Sequence, residues 1–363
     1  MPKRHLEGHT VGERAKIRKS LGSLKSLTVQ PVTRERYEKA RTDFYSWLRQ
    51  EKLAIPCSSY QLDLIVSDYL EALWAAGKGR TEGSNILAAL QDAQPHLKGQ
   101  LKLSWRLMKT WVTNEIPNRA PPLSLDALHL LVGYALFKQM NLFALSLLVG
   151  FHGLLRTGEL LQLEARHVAI SQAKGPAVLS LGLTKGGKRH GAAESVTIHA
   201  EDVCRRLFQW KQMVRPSSSL TGTSHKWRKT FSEVLQAVGL SKFDFRPYSL
   251  RRGGATNHFQ IHGRFDALLV LGRWHAASTA RVYINEGLAV LSNISLPWNK
   301  FTRNLRSQYL SSLTKPLAKL ELTKIPSQNR GRWKKGAKKR HRGYVSINGW
   351  RSPAVSGFGR ALE

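Results

Sequence analysis

The sequence predicts a mainly α-helical protein carrying one small antiparallel β-sheet. Apolar side chains recur at helical spacing, first at Tyr37, Ala40, Phe44, Trp47 and Leu48, then at Leu62, Ile65, Tyr69 and Leu73. The period then changes to two. Leu179, Leu181 and Leu183 alternate, TKGGKRHGAAES breaks the run, and VTIH resumes it, which reads as two strands joined by a basic turn.

Taken in order, residues 1–30 form a charged arm that opens with MPKRHLEGHTVGERAKIRKS. Residues 31–117 form a helical unit that continues through Ile86 to Leu90 and Leu103 to Trp111. The polar, proline-rich stretch TNEIPNRAPPLSLD ends it, so a domain boundary is expected within residues 113–123. A second unit, residues 118–300, opens on SLDALHLL, where Ser124 is a candidate helix N-cap, and runs through apolar helices to GLLRTGELLQL. After the strands, helical patterns return up to about Leu291. Residues 301–363 are more polar and contain the dense basic run GRWKKGAKKRHRG, which predicts a flexible basic tail. No internal repeat is visible.

Composition narrows the partner. Lys plus Arg number 57 against 24 for Asp plus Glu, a formal charge of +33 on 363 residues, and that excess favours a nucleic-acid polyanion. A membrane is the competing partner, yet the greasiest region, Leu128 to Leu155, is interrupted by Lys138, Gln139 and Asn141. The two cysteines, Cys57 and Cys204, are far apart and form no CxxC or Cys/His cluster. That pattern argues against a disulfide framework or structural zinc and for a reducing, intracellular setting, which is nuclear if the cell is eukaryotic. The sequence offers no convincing small-molecule or cofactor motif. Gly182, Gly187 and Lys188 imitate a P-loop, but Arg189 stands where Ser or Thr should reach magnesium, and the segment runs strand to strand. Acidic residues are too sparse to suggest a metal-dependent nuclease.

Several short motifs then line up. GLLRTGEL places Arg156 and Glu159 three apart, TKGGK places Lys185 between strands, and RPYSLRRGGATNHF supplies Tyr248 and Arg251. LGRWHAASTARVY supplies Trp274 nine residues before Tyr283. This ordered set resembles the tyrosine recombinase, or phage integrase, family of DNA breaking and rejoining enzymes. Its LRRGGAT and LGRW wording is closest to the Cre-like and DIRS-type retroelement branches. The resemblance covers about Ser124 to Leu296, and more weakly the helical unit before it, which would be the core-binding, DNA-binding domain. It implies a C-shaped clamp around double-stranded DNA, with protomers joined as a homo-tetramer on two sites and a mobile-element origin.

The same resemblance implies the chemistry. Arg156 and Arg251 would clamp the scissile phosphate, because guanidinium forks match its non-bridging oxygens. Tyr283 would attack to form a 3′-phosphotyrosine, with no metal and no ATP. Lys185, or less readily Lys188, would protonate the leaving 5′ oxygen. Trp274 would donate its indole N–H, and Glu159 would hold the arginine. Arg252 is expected to support the fold. One departure stands out: the family's His-x-x-Arg is here Tyr248-Ser249-Leu250-Arg251. A free phenol titrates near pH ~10, so Tyr248 is a poor base near neutrality but a competent hydrogen-bond donor; His275 is a possible substitute base. Two rival functions remain open on the same residues: a degraded recombinase that only binds DNA, and a type IB topoisomerase.

Overall fold

A computed structural model describes residues 9–115, 118–182, 184, 187 and 192–314. Helix α1 (Val11–Leu21) is started by Thr10 and Glu13, which cap each other's backbone N–H groups, and it buries no residue. Helices α2 (Pro31–Gln50), α3 (Ser59–Ala75), α4 (Arg80–Ala93) and α5 (Lys102–Asn114) then share a core of Phe44, Leu48, Val66, Leu70, Ile86, Leu87, Leu101, Met108 and Trp111. Each such buried Leu or Phe contributes about 1.5–3 kcal/mol.

Helix α5 has no side-chain cap of its own. Asp63 of α3 supplies one from outside, accepting hydrogen bonds from Leu103 N at 2.8 Å and Ser104 N at 2.9 Å. The buried carboxylate thus satisfies two orphan donors and meets the positive end of the helix dipole, which fixes α5 against α3.

A separate core begins at Leu123. Ser124 caps α6 (Leu125–Phe137), accepting from Ala127 N at 3.3 Å as the sequence predicts. Helix α7 (Asn141–His152) is buried on nearly every side, which is why its sequence is apolar all round. The short helix α8 (Thr157–Leu161) leads to a three-stranded antiparallel sheet in the order β1 (Val168–Ala169), β2 (Ala177–Gly182), β3 (Glu194–Ile198). The β2–β3 pair is the one expected, while β1, only two residues long, gives no periodic signal. Leu179 is buried; between Ser180 and Gly182 the register shifts, so that Gly182 pairs with Glu194. Leu183 and most of the basic turn, with Lys185 and Lys188, lie outside the described residues.

Helices α9 (Glu201–Met213), α10 (Ser224–Ala237), α11 (Ser249–His262), α12 (Phe265–Gly272), α13 (Ala277–Arg281) and α14 (Glu286–Ile294) come next. Beyond them, the segment read as tail from residue 301 differs from expectation up to Thr314. It forms α15 (Lys300–Thr314), which lies on α6 so closely that a Cβ on Gly133 would sit 2.2 Å from Leu305 O. Leu305 and Tyr309 are 2% exposed, Tyr309 donates to Asp202 at 2.7 Å, and Arg306 Nε donates to Asp126 at 2.7 Å. Those few apolar anchors are diluted by Arg303, Asn304, Ser307 and Gln308, so the segment looks polar in sequence. Among the described residues no helix is long and apolar enough to cross a membrane.

Candidate active site

The site is organised by the start of α11, where Ser249 through Thr256 are all buried. Gly253 and Gly254 make that depth possible. A Cβ on Gly253 would lie 1.9 Å from Leu123 O, and one on Gly254 would lie 2.1 Å from Phe151 O. With no side chain in the way, the helix backbone rests directly on its neighbours, and Leu123 N donates to Ser249 O at 3.1 Å.

That burial carries Arg251 and Arg252 inward. Arg251 is 0% exposed; its Nη1 donates to Leu154 O and its Nη2 to Gly272 O at 2.6 Å, while its Nε is buried without a partner. Burial lowers its pKa to about 10, helped by the charges of Arg273 and Arg156, so it remains a cation near neutrality. Arg252 acts as a strut, as expected of it. Its Nη1 donates to Ala120 O and its Nη2 to Val282 O at 3.0 Å.

Tyr283 is the next residue in the chain after that strut's anchor, Val282. Its backbone oxygen accepts from Thr256 Oγ1 at 3.2 Å, so two side chains of α11 hold the segment that carries it. Its ring packs on Trp274 at a centroid distance of 4.6 Å, and the Arg251 guanidinium carbon lies 5.4 Å from the Tyr283 ring and 4.7 Å from the Trp274 ring. The Tyr248 hydroxyl donates to the Tyr283 hydroxyl. Burial by itself would push the Tyr283 phenol up, but the Tyr248 hydrogen bond and the Arg251 charge prevail and hold it below its ordinary value. Tyr248 moves the opposite way: burial, then its bond to Tyr283, pushes it up. The pair therefore divides its roles, with Tyr248 keeping its proton and Tyr283 disposed to lose one.

Arg156 and Glu159 meet at the start of α8. Arg156 N donates to Glu159 Oε2 at 2.8 Å, and Nη1 reaches Oε1 at 2.6 Å. With its side chain 27% exposed, Arg156 is the most accessible guanidinium here. Burial opposes its charge, yet the two neighbouring carboxylates, Glu159 and Glu194, raise its pKa further.

The tertiary structure thus gathers Arg156, Glu159, Tyr248, Arg251, Trp274 and Tyr283, while Lys185 and Lys188 lie outside the described residues. His275 is exposed. Sequence reasoning missed two residues, Arg273 and Glu194. Arg273, 7% exposed at its side chain, donates from Nη2 to Glu159 Oε2 at 2.7 Å and lies with Nε 3.3 Å from Glu194 Oε2. Both sit inside the motifs LGRW and TKGGKRHGAAES, where nothing local separates them from ordinary surface charges. Buried N–H groups without partners cluster here, on Arg251 Nε, Arg273 Nη1 and Trp274 Nε1. Donors left unpaired in a low-dielectric setting fit an anion with several acceptor oxygens. No group of three or more His, Cys, Asp or Glu is placed to hold a metal among the described residues.

No protein-family model and no curated protein matches the sequence. The fold does have relatives among solved structures. It is similar to the Tn1549 transposon integrase in complex with transposon right end DNA, with a TM-score of 0.50, 12% identity, and coverage of 82% of this chain and 98% of that one. The chain has the integrase fold. Two further structures overlie it: the XerH site-specific recombinase bound to palindromic difH substrate (TM-score 0.47, 15% identity, 69% of this chain and 75% of that chain) and the XerA recombinase (TM-score 0.37, 14% identity, 84% and 97%). Within the integrase fold of this chain, the mainly helical architecture with its three-stranded sheet agrees with the fold class read from the sequence.

Proposed function

We propose that this protein is a tyrosine recombinase that cleaves and rejoins double-stranded DNA at specific sites, with Tyr283 as nucleophile. The observation that carries the reading is the setting of one phenol: Tyr283 is hydrogen-bonded by Tyr248, packed at a tilt against the Trp274 ring, and backed by a buried arginine.

In this reading the Tyr283 oxygen attacks the scissile phosphorus as the bond to the 5′ oxygen breaks. The phenolic proton leaves to solvent or a nearby base, and the departing 5′ oxygen gains a proton, from Lys185 by resemblance, or else Lys188. The product is a 3′-phosphotyrosine and a free 5′-hydroxyl. Attack by a 5′-hydroxyl on that phosphotyrosine reverses the bond changes and releases the phenol. One phosphodiester is exchanged for another, so no ATP is needed. Arg156 and the unpartnered N–H groups of Arg251 and Trp274 would bind the charge that builds on the non-bridging oxygens. Tyr248, where relatives of this family carry His, would act as a donor to the forming phenolate rather than as a base.

The basic surplus and the helical unit of residues 31–117 fit DNA as the partner, with residues 118–300 as the catalytic unit, and the two separate cysteines fit an intracellular setting, nuclear if the cell is eukaryotic. On α14, Leu288, Val290, Leu291 and Ile294 are 41%, 50%, 59% and 73% exposed. That apolar face fits a second copy of this chain, as a tetramer on two sites would require.

Nicked suicide duplexes drawn from DNA flanking the gene's own locus test the reading, with denaturing gels to detect a protein-linked strand. A 3′-linked adduct that disappears in Tyr283→Phe is the expected result. Salt-sensitive binding with no adduct would instead identify a DNA-binding relic, and relaxation of supercoiled DNA without site preference would identify a topoisomerase.

A further inference from the structure

Arg273 and Glu194 are held in a way that ordinary surface charges are not. Arg273 ends α12 with φ of 55°, in the left-handed region that a residue with a Cβ occupies only at a cost. The residue after it is Trp274. Its guanidinium is buried, and burial lowers its pKa, so the charge is there against a desolvation penalty. Glu194 stands where the β2–β3 register shifts, opposite Gly182. Bulges re-aim side chains, and this one accompanies a carboxylate directed at the arginines.

The four charged groups close a ring. Arg156 meets Glu159 at 2.6 Å, Glu159 meets Arg273 at 2.7 Å, Arg273 meets Glu194 at 3.3 Å, and Glu194 meets Arg156 at 3.6 Å. Glu194 Oε2 also accepts from Thr184 Oγ1 at 2.6 Å. The ring ties the start of α8, the edge of β3 and the end of α12 to one another, and its charges alternate in sign. Arg156 is its most exposed member. We propose that Arg273 and Glu194 are positioning residues that lock the Arg156 guanidinium, through this ring, in the orientation that meets the scissile phosphate. The inference rests on the proposed recombinase function and adds two residues that the resemblance did not supply.

An ammonium could not replace Arg273, because a single point charge cannot span both carboxylates as a planar fork does. Loss of a partner that orients a ligating side chain costs about 10- to 100-fold in metal sites, and a loss of the same order is expected for a guanidinium held in this way. The test measures rates of covalent adduct formation on the suicide duplex, first with the natural phosphodiester and then with a methylphosphonate at the cleaved position. The methylphosphonate lacks the charged non-bridging oxygen that a guanidinium would stabilise. Arg273→Lys and Glu194→Gln are compared with Arg156→Ala and with the corresponding double variants.

If the ring positions Arg156, each single variant loses about 10- to 100-fold on the natural strand, and the loss shrinks toward none on methylphosphonate. The double variants are then no slower than Arg156→Ala alone, because both changes remove the same interaction. Equal losses on both substrates would overturn the proposal in favour of a general structural role. Losses that multiply with Arg156→Ala would also overturn it, by making Arg273 a phosphate ligand in its own right. If Arg273→Lys fails to fold, the isosteric Glu194→Gln and the Thr184→Val variant carry the comparison, because both retain every arginine. A wild-type protein without any adduct defeats the recombinase reading itself. An adduct with unaffected Glu194→Gln and Arg273→Lys variants defeats only the ring.

Discussion

The Tyr248 hydroxyl donates a hydrogen bond to the Tyr283 hydroxyl; burial and then that bond raise the Tyr248 phenol, while the bond and the Arg251 charge, against burial, lower that of Tyr283. In a reaction that makes a phenolate-like oxygen on Tyr283, that bond strengthens as charge develops. Tyr248→Phe removes the donor and keeps the ring. Adduct formation should fall by about 10²-fold, as for other single donors to a developing oxyanion. The pH at which the rate climbs should move upward, because the depressed Tyr283 phenol loses a chief cause of its depression. A pH–rate series on the suicide duplex for both proteins checks this, and an unmoved profile would leave Tyr248 without a chemical role.

The Gly253–Gly254 pair should be intolerant for a reason unrelated to chemistry. Gly254→Ala forces a Cβ into the space of Phe151 O and should cost at least about 1–3 kcal/mol, the usual range for overpacking. Gly158→Ala, where nothing lies within 4 Å, should be neutral or slightly stabilising. Urea unfolding curves of the two variants should separate clearly.

His129, on α6, gives the docking of α15 a pH dependence. It packs its ring at 5.0 Å from that of Tyr309, and burial, against the pull of Asp126 and with the help of Arg306, lowers its pKa to about 4. An unfolded histidine titrates near 6.5, so the unfolded chain binds more protons between the two values. The neutral ring therefore favours the fold above about pH 6.5, and that contribution drains away as pH falls toward 4, by roughly 3 kcal/mol in all. Unfolding free energies at pH 7.5 and pH 5 should differ less in His129→Gln than in the wild type.

The apolar face of α14 should matter for assembly and for little else. Ile294→Glu, at a position 73% exposed, should change stability by no more than about 0.5 kcal/mol. It should leave single-site DNA binding intact and abolish complexes that hold two sites. Light scattering and gel shifts with one-site and two-site DNA read the two effects apart; paired complexes at wild-type yield would remove this face from assembly.

Legibility differed from element to element for physical reasons. Helices α2 and α3 announce themselves through apolar spacing, because each buries one face in its own core, and α6 through an almost continuous apolar run behind the Ser124 cap, because it is buried on most sides. Helix α15 does not, since its anchors Leu305 and Tyr309 are separated by polar residues whose partners, Asp126 and Asp202, lie far away in the chain. Strand β1 is too short to show a period.

The sequence by itself determined the helical class, the β2–β3 pair, the basic charge and the order of Arg156, Glu159, Tyr248, Arg251, Trp274 and Tyr283, because propensity, periodicity and motif spacing are local properties. Only the tertiary structure decided that Arg251 is wholly buried with its terminal nitrogens on Leu154 O and Gly272 O, and that Arg273 and Glu194 join Arg156. Only it paired Tyr248 with Tyr283 across 35 residues of sequence. Hydrogen bonds and ion pairs between distant segments exist only once packing has excluded water and set those segments side by side, and no local pattern encodes which carbonyl or carboxylate will be waiting there.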